Sequence, residues 1–454
     1  MIPTIPGLAT GEARNLELLF FLCAYNEQAD PAFNVIAQTQ HLSTPTRNLF
    51  LQTSGLQEPY PPVAVIGCGA LGSHVIDFLY RSGCSRLSLI DHDLFAPHNI
   101  ARHILREGAV GFNKARAIKR EFGSIAENHC RAKALDITRL TDDDLKKAVG
   151  ERIEHIIDAT ASQSVLRRLS RVGITYRVTR IEIADEGRLG FTLSEGSERN
   201  PRIDDLQMLV YASASGRPEV ARWLSSATHT ASTHVGIGCT SATMVMPDST
   251  VCLHASASMP RIRRVLHDPT SPGGFLVTST DEFGTPVASS WTTVPPLTLL
   301  ELSVLQQQSR EKLWTLRIHT PLLDTLTAAT RSRAPNEAGG YLYGRYDIRQ
   351  RSVTVVWGNI ASPLSTSPTR LTLPRAGHSR KERHFIETTH GICLVMGSWH
   401  SHPLGSSRPS YTDLQQARKA AALNTKTLVP FIFLILGRFG NSVYLSIPQS
   451  WQED

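Results

Sequence analysis

Apolar positions along this chain change their period several times, and each change marks an element. Residues 15–40, which open with the dense apolar run LELLFFLCAY (16–25), are expected to be helical, and the polar, Ser/Thr-rich HLSTPTRN follows them. From Pro61 the pattern becomes strand, helix, strand. VAVIGCG is a short apolar strand ending in glycine, ALGSHVIDFLYRSG has the spacing of an amphipathic helix closed by Gly83, and RLSLIDHD is a second strand. HIIDAT (155–160) continues the series. Strands alternating with helices of this length predict an α/β fold with a parallel, doubly wound, Rossmann-like sheet.

The pattern is less regular between 185 and 310. Gly, Pro, Ser and Thr punctuate 267–296 (HDPTSPGG, TSTDEFGTPVASS, VPP), which predicts short strands and turns and a boundary near 300. From Trp314 onward a new set begins, with a helix in TPLLDTLTAAT and strands in SVTVVWG, ICLVMGS, FIFLILG and SVYLSI. Three segments follow: 1–56, 57–300, and a second α/β unit at 311–454. The first carries no recognisable chemistry and is expected to be a dimerisation arm or the remnant of a larger upstream domain. No internal repeat or low-complexity tract interrupts the chain.

Composition narrows the classes. With 454 residues, 41% hydrophobic and 19% charged, the chain reads as a globular protein of two or three domains. The net charge of +7 permits acidic partners, but the basic residues are dispersed and the densest run, HSRKERH (378–384), is short, so nucleic-acid binding is not expected. The seven cysteines (Cys23, Cys68, Cys84, Cys130, Cys239, Cys252, Cys393) are scattered and never form C-x-x-C, which predicts reduced thiols and no Cys-based zinc. The opening MIPTIPGLATGEARN lacks the form of a signal peptide, and the longest apolar runs are about half the length that spans a bilayer. A cytoplasmic location and no membrane association are expected.

Gly67-Cys68-Gly69-Ala70-Leu71-Gly72 is G-x-G-x-x-G between a strand and a helix. Such glycines allow a tight turn and close approach of a phosphate to helix N–H groups. Asp91, 24 residues after Gly67, suits a ribose hydroxyl, so at this point an NAD-dependent oxidoreductase remains open. The downstream residues favour phosphoryl chemistry. Asp93, Asn99, Arg102 and Lys114 lie in DHDLFAPHNIARHILREGAVGFNKARA, and Asp158 follows in IIDATAS. Cations that neutralise a triphosphate and carboxylates that hold Mg²⁺ are needed there, and hydride transfer needs neither.

Over about a hundred residues this order resembles the ThiF/MoeB and ubiquitin-activating superfamily. It departs from that pattern at His103, where glutamine is usual, and in DATAS, which lacks an asparagine. The resemblance implies ATP and Mg²⁺ as cofactors. Asp91 and Asp93 would meet ribose and Mg²⁺, Asn99, Arg102 and Lys114 the phosphates, and Asp158 the metal–triphosphate. It implies adenylation of the C-terminal carboxylate of a small β-grasp protein. Many members then pass the acyl group to a cysteine, and Cys239, in the Gly/Ser/Thr-rich THVGIGCTSATMVMPDST, is the candidate.

The stretch SWHSHPLGSSRPSYTDL (398–414) poses a separate question. His400 and His402 follow an apolar strand, where alternate residues share a face and two imidazoles can hold one metal ion. Ser410 and Asp413 open a helix, so Ser-x-x-Asp also reads as a capping box. The joint spacing H-x-H-x7-S-x2-D resembles the signature of the JAMM (MPN+) metalloprotease family across roughly the last 140 residues. That resemblance implies Zn²⁺ on His400, His402 and Asp413, with Glu337 in RSRAPNEAGGYLYGRYD as the general base and Ser410 as hydrogen-bond donor to the oxyanion.

Together the two resemblances imply a bifunctional enzyme of a bacterial ubiquitin-like conjugation pathway, with a carboxylate-activating half and an amide-cleaving half. They imply a ubiquitin-like β-grasp partner, a separate conjugating enzyme, a homodimer and, by association, antiphage defence. Sulfur-carrier activation through a ThiS/MoaD-like thiocarboxylate is the alternative, and a non-catalytic scaffold is a third reading.

Overall fold

The computed structural model describes residues 19–23, 36–40, 46–84, 86–122, 130–171, 173–226, 232–234, 242–304, 314–424 and 430–446. Two N-terminal strands, β1 (Leu19–Cys23) and β2 (Ile36–Gln40), pair antiparallel and precede a short helix, α1 (Arg47–Thr53). The helix expected over 15–40 is therefore corrected to a strand pair. An apolar run such as LFFLC satisfies either period, and Pro31, which falls between the two strands, cannot sit inside a continuous helix.

The first module then runs β3 (Val63–Ile66), α2 (Ala70–Arg81), β4 (Leu87–Ile90), α3 (Lys114–Glu121), β5 (Arg131–Lys133), α4 (Asp142–Val149), β6 (His155–Asp158), α5 (Gln163–Leu169) and β7 (Arg177–Ala184). It continues through β8 (Leu189–Ser194), α6 (Ile203–Ala212), α7 (Pro218–Ser226), the short pair β9 (Ser232–His234) and β10 (Ala242–Met244), α8 (Asp248–His267), β11 (Gly274–Thr280) and β12 (Pro286–Thr293). One eight-stranded sheet has the order β12-β11-β8-β7-β6-β3-β4-β5. From β5 to β7 the strands are parallel, and β7, β8, β11 and β12 are antiparallel. The chain leaves β3 for β4 on one side and returns to β6 on the other, which opens a crevice at the carboxyl ends of β3 and β6. Every residue of β3, β4 and β6 is buried, as expected of parallel strands covered on both faces by helices.

The second module is a closed barrel with strand order β13-β14-β16-β15-β19-β20-β21. It comprises β13 (Thr298–Val304), β14 (Trp314–Ile318), α9 (Thr320–Arg333), β15 (Gly339–Asp347), β16 (Ser352–Gly358), the hairpin β17 (Ser365–Ser367) and β18 (Arg370–Thr372), and α10 (Arg380–Thr388). The final elements are β19 (Leu394–His402), α11 (Tyr411–Asn424), β20 (Phe431–Gly437) and β21 (Gly440–Ser446). Strand β13 closes the barrel by pairing with β14 and β21, so the barrel begins at Thr298, within the segment that sequence alone assigned to the first module. Among the described residues no helix is long and apolar enough to cross a membrane.

Candidate active sites

The first cleft lies over the glycine loop. Gly67 has φ +90°, and a Cβ there would come within 2.9 Å of Ala159 and Thr160; a Cβ on Gly72 would meet the Gly67 carbonyl oxygen at 1.9 Å. These two positions thus require glycine for the turn and for the approach of α2. Gly69 differs, since a Cβ there meets no protein atom within 4 Å and Gly69 lines the cleft. The cavity is about 290 Å³ and is also lined by Asp91, Asp93, Lys114, Asp136, Thr138, Thr160 and Ser164.

Of the residues singled out in the sequence, Gly67, Gly69, Asp91, Asp93 and Lys114 meet in this cleft. Asp91 is buried and both its oxygens accept backbone N–H groups, from Cys68 at 2.7 Å and Asp93 at 2.8 Å, so it ties the glycine loop to the end of β4. Burial pushes its carboxyl up, against the pull of Lys114. Lys114 Nζ lies 2.9 Å from Asp93, whose carboxylate is partly open to the cleft.

Three expected residues are placed elsewhere. Asn99 Oδ1 accepts the Ala96 N–H at 2.9 Å and so caps its own turn. Arg102 lines a neighbouring cleft of about 220 Å³, with Ala70, Leu71, Ile181, Glu182, Met246 and others, which shares Ala159 with the first. Asp158 is fully buried: one oxygen takes Arg180 Nη1 at 2.5 Å, and the other takes the Thr160 hydroxyl at 2.6 Å. Cys239 lies outside the described residues.

Three residues that shape this cleft received no role from sequence, His103 being noted only as a departure from the family pattern. His103 is buried, accepts the Leu105 N–H through Nδ1 at 3.0 Å and lies 2.8 Å from the Cys68 carbonyl through Nε2. Its Nε2 is therefore the protonated nitrogen, donating to the glycine loop, and burial pulls its pKa to about 4. Asn113 bonds the carbonyls of Asp91 and Asp93 while capping α3, a role legible in its position just before the helix. Arg180, with its guanidinium shared between Asp158 and Glu182, had no local signal at all.

The second site sits on the barrel. His400 and His402 face the same way from β19, and Asp413 reaches them from the first turn of α11. The two Nε2 atoms are 3.2 Å apart, and each lies close to an Asp413 oxygen, at 3.2 Å for His400 and 3.4 Å for His402. The two contacts reach different oxygens, Oδ1 for His400 and Oδ2 for His402, and one ligand atom from each of the three residues lies within 4.8 Å of the others, a grouping that can close on one metal ion. His402 Nδ1 bonds the Ser406 carbonyl at 2.9 Å, which leaves the Nε2 lone pair for a metal. On Asp413, burial pushes the carboxyl up, but without a metal the His400 and His402 rings, protonated on Nε2, donate to it and hold it well below the ordinary range; a bound metal would take the place of those protons.

Glu337 lies two residues before β15, which pairs with β19 so that Gly339 is opposite His400. Burial raises its pKa, partly offset by His400 and His402. A Cβ on Gly339 would meet Leu371 at 2.5 Å, the Trp399 carbonyl oxygen at 2.6 Å and His400 Cβ at 3.3 Å, so glycine lets the strand carrying Glu337 lie against the histidines. The β17–β18 hairpin completes the wall: Glu337 N–H donates to Ser367, and the Thr366 hydroxyl to the Glu337 carbonyl. Ser410 is exposed beside Asp413.

A doubly wound sheet with a phosphate-type glycine loop, joined to a barrel carrying a His/His/Asp triad, defines a two-module protein with a nucleotide-type cleft and a metal-type cleft. The chain belongs to the ThiF family, whose model matches residues 61–294, and residues 319–452 match the prokaryotic homologs of the JAB domain. It is similar to the ATP-dependent ubiquitin transferase-like protein Cap2 of Pseudomonas aeruginosa, 32% identical over 23% of this chain and 18% of that protein. Cap2 of Enterobacter hormaechei is 30% identical over 30% of this chain and 23% of its own length. The adenylyltransferase and sulfurtransferase MOCS3 of Mus musculus is 43% identical over 12% of each. The matches thus span less than a quarter of these curated relatives. Among solved structures, E. coli MccB with ATP aligns over 54% of this chain and 66% of its own, at 16% identity and a TM-score of 0.38.

Proposed function

We propose that this chain activates and cleaves at the C-terminus of one ubiquitin-like β-grasp protein, within a bacterial conjugation pathway. The observation that carries the reading is the convergence of His400, His402 and Asp413, with ligand atoms within 4.8 Å of one another, beside a buried Glu337, in the same chain as a ThiF cleft.

In the first cleft, ATP is the substrate. The carboxylate of the incoming tail attacks the α-phosphorus, an acyl-adenylate forms and pyrophosphate leaves. Gly67 and Gly69 admit the phosphates to the backbone, and Lys114 offsets their charge. Asp93, open to the cleft, is the carboxylate with room for Mg²⁺, whereas Asp158 acts from beneath the floor through Thr160. The adjoining cleft, apolar except for Arg102 and Glu182, suits an extended tail arriving next to the phosphates. Cys239 then attacks the acyl carbon, forms a thioester and releases AMP, before a separate conjugating enzyme accepts the acyl group.

In the barrel, His400, His402 and Asp413 would hold Zn²⁺, which supplies Lewis acidity and a water of lowered pKa. Glu337 takes a proton from the attacking water and returns it to the leaving amine, so the C–N bond breaks and a carboxylate and an amine result. Ser410 Oγ accepts the Asp413 N–H, and its own proton remains available for the developing oxyanion. The cleavage exposes a precursor's terminal carboxylate or removes the modifier from a target.

ATP–pyrophosphate exchange with a purified β-grasp protein tests the reading, run on wild type and Cys239→Ala with adducts resolved on a non-reducing gel. Exchange in both, with a thiol-sensitive adduct in wild type alone, is the expected result. Exchange without an adduct moves the assignment to sulfur-carrier activation, a reading supported by the likeness to MOCS3. No exchange overturns the activating half. Antiphage defence and homodimerisation belong to the same proposal and are read by plaque counts and by sedimentation.

A further inference from the structure

The boundary between the two modules is filled by a core, and this has consequences for how the two sites behave. One apolar cluster contains Phe191, Leu206 and Val277 of the first module together with Tyr343, Val356 and Phe385 of the barrel. Phe385 stacks on Trp357 at 4.4 Å and meets Tyr343 edge-on at 5.6 Å, so the barrel side of the cluster is an aromatic block. Beside it, Asp205 on α6 is fully buried and accepts Arg317 of β14 through Nε at 2.9 Å and Nη2 at 2.5 Å, and Thr354 of β16 at 3.1 Å. At the connection itself, Asn200 bonds both the N–H and the carbonyl of Leu297 at 2.9 Å.

Two modules joined by a flexible linker would each keep their own charges solvated and their own apolar face covered. Here, parting them would break the Asp205–Arg317 pair and bare the shared apolar cluster to water. Strand β15 carries both ends of the relationship, because Tyr343 lies in the shared cluster and Gly339 lies against His400. On the other side, β8 contributes Phe191 to the cluster and pairs with β7, where Arg180 holds Asp158.

We propose that the nucleotide module and the barrel open as one cooperative unit, so that nucleotide in the first cleft stabilises the barrel and slows its hydrogen exchange. No wire of residues is required. A ligand that binds only the closed state lowers the population of the open state by 1 + [L]/Kd, and every element that opens with it shares that factor. The ATP-linked half of the inference rests on the nucleotide reading of the first cleft and not on the peptidase reading.

Hydrogen exchange on the full chain tests it, with Mg·ATP alone as the probe. With free ATP at about ten times its Kd, the most protected amides of β6 and of β19 are both expected to slow by about tenfold. Slowing in β6 with none in β19 overturns the inference. Phe385→Ala from the barrel side and Leu206→Ala from the other are expected to release β19 from the ATP effect while β6 keeps it. If ATP slows neither strand, the nucleotide reading fails instead. Urea alone then decides the inference, with equal midpoints for loss of protection in β6 and β19 sustaining it and unequal midpoints overturning it.

Discussion

Ser410 and Asp413 exchange two hydrogen bonds: the Ser410 N–H donates to Asp413 Oδ2 at 2.7 Å, and the Asp413 N–H donates to Ser410 Oγ at 3.2 Å. The helix cap and the metal-type constellation are thus the same residues. Closing the cap fixes the Asp413 carboxylate in the position from which it meets both histidines.

Ser410→Ala is expected to cost about 1 kcal/mol of stability through the lost cap and about 10²-fold in kcat for amide cleavage through the lost oxyanion donor. Thermal melting and single-turnover cleavage, measured on one preparation, separate the two. A kcat loss no larger than the fall in folded fraction would assign the hydroxyl to the cap alone.

Glu337→Gln is expected to keep the metal and lose at least 10²-fold in kcat, because the amide holds the shape of the site and cannot carry the proton. Metal content by elemental analysis and cleavage of a β-grasp fusion check both halves. Cleavage at the wild-type rate removes Glu337 as the base.

Gly339→Ala tests the same site from the opposite strand. The added methyl meets the Trp399 carbonyl oxygen at 2.6 Å and His400 Cβ at 3.3 Å, so β15 and β19 must separate. Zinc affinity, read by competition with a chromophoric chelator, is expected to fall by 10-fold or more.

Asp158 and Arg180 give a stability prediction. Arg180→Leu leaves the fully buried Asp158 without its guanidinium and is expected to cost about 3–5 kcal/mol in urea denaturation. Adding Asp158→Asn removes the stranded charge and is expected to restore more than half of that loss. Strict additivity of the two changes would deny the coupling.

His103 sets a pH dependence. Its folded pKa is about 4 against an ordinary 6.5, so between these values the unfolded chain binds more protons and stability rises with pH. The contribution is complete above pH 6.5 and is lost as pH falls toward 4, amounting to roughly 3 kcal/mol at 1.36 kcal/mol per pH unit. His155, buried and pulled to about 3, adds a parallel term. Urea midpoints from pH 4 to 7 are expected to flatten by about one proton in His103→Gln, with the remainder carried by His155. An unchanged slope would show that His103 does not titrate on unfolding.

Much of the fold could be read locally. The βαβ unit at 63–90 was legible because apolar runs bounded by glycine specify strands buried on both faces, and the second α/β unit because its strands repeat the same signal. The strand pair at 19–40 was not, since a short apolar run serves two periods equally well. β13 escaped notice because what makes Thr298–Val304 a barrel strand is its pairing with β21, some 140 residues later.

For the sites, the sequence by itself determined which residue types stood ready. Gly67, Gly72, Asp91 and Lys114 are set by a local turn and its flanks, and His400, His402, Ser410 and Asp413 by the period of one strand and the first turn of one helix. Tertiary structure alone decided what each group faces. Asp158 and Asp93 are both acidic residues at strand ends, yet one is sealed against Arg180 and the other opens to the cleft beside Lys114. The Asp205–Arg317 pair, 112 positions apart, lies beyond any local pattern. A carboxylate's role depends on the charge and solvent that surround it, and those are supplied by distant parts of the chain brought together by folding.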